Sequence, residues 1–148
     1  MNRNQVDFEV TGRPGNTVAL IDVRNIPSLT LSSAAELRRA LLEDDGDRTI
    51  PAFFLIVSQD KGFLWEPEQP ESNNAEPAAV FPMREVLREY LTDGLLNQHL
   101  RGAELEIAVS QWLSDITNGR GGIPLELSSV KKFAERLRGG EVHGGPRT

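Results

Sequence analysis

Three residues near the start of the chain, Asp7, Asp22 and Arg24, have the types and spacing to do chemistry. They sit in two runs, VDFEVTG and TVALIDVRN, joined by Arg13-Pro14-Gly15-Asn16, which has the composition of a turn. If the runs pair antiparallel about Pro14-Gly15, then Val6, Phe8 and Val10 oppose Val23, Ile21 and Ala19 and form one apolar face. On the other face Asp7 falls opposite Asp22, with Arg24 two residues further along. A one-residue slip would turn the apolar set to the wrong side, so the pattern favours this register. Carboxylates directly across a ladder have Cβ atoms about 5 Å apart and repel. Such a pair asks for a cation, either a metal ion or the guanidinium of Arg24.

These residues need a frame, and 148 residues suffice for one domain with a substantial core. We expect that domain over residues 1–138, with a flexible loop at 66–82 (EPEQPESNNAEPAAVFP) and a frayed tail at 139–148. Ser33-Ala34-Ala35-Glu36 reads as a capping box opening a helix to about Glu43, which ends in Asp44-Asp45-Gly46-Asp47. Pro51 to Ser58 is continuously apolar, as in a strand covered on both faces, and Phe63-Leu64-Trp65 begins a partner strand. Three helices follow: one marked by Met83, Val86-Leu87 and Tyr90-Leu91, a long one over 102–118, and one capped by Ser128. Strands with one crossing helix, then helices, indicate an α+β, or α/β-like, layered domain.

With these elements placed, the chain resembles the PD-(D/E)XK nuclease superfamily, in particular its small stand-alone bacterial members. Asp7 matches the first acid of that pattern, and Asp22-Val23-Arg24 stands where an acidic-x-Lys triplet would be. Asn25 matches a polar residue that often follows the triplet. The helix with Arg38-Arg39, the stretch from Phe53 to Trp65 and the helix from Glu104-Leu105-Glu106 to Trp112-Leu113 are also similar. The resemblance implies a restriction-endonuclease-like fold with a mixed sheet of about four strands, one packed helix and a C-terminal helical cap. It implies Mg²⁺ held by Asp7, Asp22 and the carbonyl of Val23, and Arg24 acting where Lys would orient water. Arg38 and Arg39 would contact phosphate. The same positions carry the departures. Arg24 stays protonated and cannot take a proton from water, and only six residues precede Asp7, where the family has a helix that often carries a Glu. That helix is expected to be absent, lost or supplied by another chain.

Other features favour structural roles. Arg38 and Arg39 also suit the solvent side of a helix, and Gln59-Asp60 suits a turn. Trp65 and Trp112 lack basic interleaving and read as core, and His99 and His143 form no ligand-spaced cluster. No cysteine is present, which excludes disulfides and thiol chemistry and fits a reducing, cytoplasmic setting. No apolar run approaches the roughly 20 residues of a membrane span, and the first ten residues lack the apolar core of a signal peptide. The net charge of −6 argues against general nucleic-acid affinity. The expected function is therefore a degenerate nuclease-like domain serving as an interaction or structural module, as a homodimer or with a protein partner. The alternative is an active Mg²⁺-dependent nuclease cleaving DNA or RNA, with nucleic acid as its partner only in that case.

Overall fold

The computed structural model describes residues 6–12, 15–44, 52–67, 76–120 and 128–144. Two runs of alternating apolar residues make the first hairpin, β1 (Phe8–Thr11) and β2 (Thr17–Val23). They pair in the expected register, Phe8 with Ile21, Glu9 with Leu20 and Val10 with Ala19. A shift between Val10 and Thr11 then brings Thr11 opposite Thr17, so a bulge adjusts the strand as it enters the turn. The turn closes through Gly15 N–H donating to Gly12 O at 2.6 Å, and Gly15 takes a φ of 115° that favours glycine.

After β2 the chain crosses through α1 (Leu31–Asp44) to β3 (Phe53–Val57), which lies parallel to β2. The α1 cap is Thr30 rather than Ser33: its Oγ1 accepts the Ser33 N–H at 3.1 Å. The acidic run at its end, from Asp45 onward, lies outside the described residues. β4 (Lys61–Trp65) and β5 (Ala79–Pro82) continue the sheet antiparallel, followed by α2 (Met83–Leu87), α3 (Asp93–Leu96), α4 (Gly102–Thr117) and α5 (Ser128–Leu137). Last comes β6 (Glu141–Gly144), antiparallel to β1. The molecule is thus an α+β protein with a mixed six-stranded sheet, ordered β5-β4-β3-β2-β1-β6.

Two expectations are corrected here. Residues 79–82 are not loop, because Phe81 alternates inward opposite Gly62 and joins the core, extending the sheet beyond β4. Residues 141–144 are not frayed tail, because β1 would otherwise leave its outer N–H and C=O groups unpaired. The sheet therefore has six strands where about four were expected.

The pleat divides side chains between two cores. On one face Phe8, Val10, Ala19, Ile21, Phe53, Leu55 and Leu64 pack beneath α2, α4 and α5, where Trp112, Phe133 and Leu137 are fully buried. Phe133 meets Phe53 edge-on at 5.6 Å between ring centroids, an arrangement that suits aromatic quadrupoles. On the other face Phe54, Ile56, Phe63 and Trp65 lie under Ala34, Ala35, Leu41 and Leu42 of α1. β3 contributes to both cores, which explains why every residue in it is apolar and buried. Among the described residues, no helix is long and apolar enough to cross a membrane.

Candidate functional site

At the open end of the first hairpin, sequence and structure converge. Leu20 faces the α1 core and Ile21 the other, so Asp22 must point to the α1 side of the sheet, as Leu20 does. It is 1% exposed, a strongly buried carboxyl. Arg24, two residues on, donates from Nε to Asp22 Oδ2 at 2.5 Å, with its own side chain 38% exposed. A buried carboxyl is thus joined to a guanidinium that still reaches water. The Arg24 N–H donates to Val57 O at 2.8 Å, which fixes the base of that side chain to the central strand.

Asp7 reaches this point by a different route from the ladder pairing expected. β1 begins at Phe8, and no Val6–Val23 pair forms. The Asp7 carboxyl replaces it, its Oδ2 accepting the Val23 N–H at 2.8 Å, while Val6 turns to the α1 core. A side-chain acceptor thereby ends the backbone ladder, and the two acids still meet. Burial pushes the Asp22 carboxyl up from 3.8 to about 6; Arg24 opposes that shift, and the charge and hydrogen bonding of Asp7 reinforce it. Near neutral pH a proton and a guanidinium both compete for the negative charge of this pair.

A third acid enters from outside the hairpin. Glu106 on α4 is half-buried, and desolvation followed by the charge of Asp7 raises its pKa. Sequence spacing gave no sign of it, because α4 lies far along the chain and only the fold brings it near Asp7. Asn25, the polar residue after the triplet, donates from Nδ2 to Leu100 O and ties the hairpin to the start of α4. Gln59 secures the same loop: its Nε2 donates to Gln98 O at 2.6 Å and to Leu96 O at 3.3 Å, and its Oε1 accepts the Leu100 N–H at 2.8 Å. Gln59 is therefore buried and holds a loop rather than simply forming a turn.

The expected solvent-facing Arg pair divides. Arg38 is 5% exposed, with its guanidinium carbon 5.4 Å from the Trp65 ring centroid, and Arg39 is half-buried. A cation over an indole face is favourable, and the arginine stem covers apolar surface, so Arg38 belongs to the α1 core layer. Trp65 and Trp112 are core residues as expected. His143 joins β6 to β1 through Thr11 Oγ1 at 3.0 Å, and His99 is exposed.

Mg²⁺ prefers an octahedron of oxygens at about 2.0–2.1 Å. Asp7 and Asp22 are brought together, but Asp22 Oδ2 is held by Arg24, and Val23 meets Asp7 Oδ2 through its N–H, a donor, where the expected ligand was its carbonyl. Among the described residues no three His, Asp or Glu side chains converge as a ligand group. Each carboxylate keeps its second oxygen, so a divalent ion there would share the acids with Arg24, whose guanidinium charge opposes it. Comparisons with models of known protein families, with curated proteins and with solved structures found nothing that matches this chain.

Proposed function

We propose that this chain is a PD-(D/E)XK-like domain that has lost catalysis and serves as a structural or interaction module, as a homodimer or with a protein partner. The observation that carries this reading is the 2.5 Å contact of Arg24 Nε with Asp22 Oδ2. A fixed cation neutralises the buried acid at the position that the superfamily pattern gives to Lys and metal. Arg24 cannot act as a base toward water, and its planar, permanently charged head suits a static ion pair. The role left to Asp7, Asp22 and Arg24 is to close the hairpin end, with Asp7 satisfying the Val23 N–H and Arg24 satisfying Asp22.

The second reading is an active Mg²⁺-dependent nuclease acting on DNA or RNA. It is favoured by one observation, the meeting of Asp7 and Asp22 with Glu106 close enough to feel the Asp7 charge. Thermal melting in EDTA, Mg²⁺ and Mn²⁺, beside the Asp22→Asn variant, separates the two. A bound ion stabilises the folded state by mass action, so the nuclease reading requires a metal-dependent rise in Tm that the variant loses. The module reading expects equal Tm in all three conditions, and a dimer or partner complex by size-exclusion chromatography with light scattering.

A further inference from the structure

The opposite end of the first hairpin carries a second charged feature, independent of the acid site. A cavity of about 490 Å³ opens there between the β1–β2 turn and the end of α5, lined by Gly12, Asn16, Val18, Arg136, Arg138 and Gly139. Gly12 is five residue steps from Asp7 along β1, so this cavity lies about 17 Å from the acids along the sheet. Its volume falls in the range of small-molecule sites, roughly 300–1,000 Å³.

The charge around it contrasts with the rest of the chain. The protein is acidic overall, yet α5 and the residue after it carry Lys131, Lys132, Arg136 and Arg138 against one acid, Glu135. Lys132 pairs with Glu66 and Arg120 with Asp115. Among the described residues, neither Arg136 nor Arg138 has a carboxylate within ion-pair distance. Two guanidiniums without acids, on the wall of one cavity, offer paired donors in the geometry that suits phosphoryl oxygens.

Local backbone holds one of them in place. Gly119 adopts a φ of 77°, and a Cβ there would lie 3.4 Å from Arg138 Nε, so the guanidinium rests against the end of α4. Gly139, also at positive φ, donates its N–H to Thr117 O at 2.7 Å and fixes the turn that carries Arg138. Val18 lies at the opposite wall but is 4% exposed and belongs to the core, so the wall there is firm and offers a ligand little apolar surface.

We propose that this cavity binds a small organic phosphate, with Arg136 and Arg138 gripping the phosphoryl group. The cavity is open to solvent on one side, and its limited volume favours a small molecule over a polynucleotide.

Isothermal titration of the full chain with pyrophosphate and with adenosine diphosphate tests the proposal, at low chloride and matched ionic strength. At least one probe should bind. The Arg136→Gln/Arg138→Gln variant should weaken that binding by about tenfold or more, as expected for losing charge-assisted hydrogen bonds. Lys131→Gln, an exposed change on the same helix, should leave it within about twofold, because charges beyond the contact are screened. Arg138→Gln alone gives the same reading with one change if the double variant folds poorly. Asp22→Asn should retain binding, so failure here is distinct from failure of the proposed function.

Several outcomes would overturn the assignment. One is the absence of heat with both probes. Another is equal affinity in the Arg138→Gln variant. A third is binding of a single-stranded oligonucleotide by a chain that ignores both small probes. Lower melting of the arginine variants with no probe response in the parent would restrict the two cations to stabilising the C-terminal end of α5, and would also overturn it.

Discussion

The buried Asp22 should make the protein less stable as pH rises through the weakly acidic range. Its carboxyl titrates at about 6 when folded, against 3.8 ordinarily, so the folded state holds a proton that the unfolded chain releases sooner. The sign follows from proton linkage: between these two pH values the native state binds more protons, and stability falls as pH increases. Below about pH 3 both states are protonated and nothing is lost. Above about pH 7 the loss is complete. A difference of about two pH units, at about 1.4 kcal/mol each, corresponds to about 3 kcal/mol. Asp22→Asn removes the titration while keeping an oxygen that accepts from Arg24. Urea denaturation of parent and variant at pH 4.5 and 7.5 isolates the effect, because titrating groups that do not interact with Asp22 cancel in the double difference, leaving Asp22 and the neighbouring Asp7. The parent should lose about 2 kcal/mol more than the variant over this interval, because about 1 kcal/mol is already lost by pH 4.5, and the variant should equal or exceed the parent at pH 7.5. Parallel pH profiles would sink the argument, as would a variant destabilised by about 2 kcal/mol or more at pH 7.5. Either result would mean that the ionised Asp22–Arg24 pair outweighs the cost of burial.

Two further changes test the frame around the site. Gly62→Ala would put a Cβ 2.5 Å from Cζ of the Phe81 ring, which Trp112 hems in at 6.4 Å between centroids, so unfolding free energy should drop by about 1–3 kcal/mol by urea titration. Gly102→Ala, where an added Cβ meets nothing within 4 Å, is the matched control and should be neutral or stabilising. Gln59→Ala leaves the Leu100 N–H and the Gln98 carbonyl without their side-chain partner, a loss of about 2–3 kcal/mol, and amide exchange at Leu100 should accelerate.

The hairpin register was legible because its two faces differ so sharply: Phe8, Val10, Ala19 and Ile21 leave one alignment that buries them together. β3 was legible from its unbroken apolar run, and α4 from its apolar stripe. β5 and β6 were not. Each has four residues, and their strand character comes from a neighbour's open edge rather than from their own alternation. Val6 shows a related limit, since the Asp7 side chain took the ladder position that a period-two pattern assigns to backbone. At the site, Asp7, Asp22 and Arg24 could be read locally because two paired strands and a two-residue step determine their meeting. Glu106 and the burial of Arg38 depend on how helices dock across the sheet, which no spacing within either helix encodes.

The position of β6 has a consequence for how the chain reaches this structure. β1 can pair with β2 as soon as both exist, a local event on the microsecond scale. Its other partner arrives only with residues 141–144, as the contact between Thr11 and His143, 132 positions apart, makes plain. Closing so long a loop must precede any reward from the pairing, which places the outer ladder late and makes folding slow for a domain of this size. Until then β1 presents a free edge beside the still uncovered Phe8 and Val10, and the β6 of a neighbouring chain can take the vacant place as readily as its own. Refolding at high protein concentration should therefore favour strand-exchanged pairs, while dilution should return each β6 to the chain it belongs to.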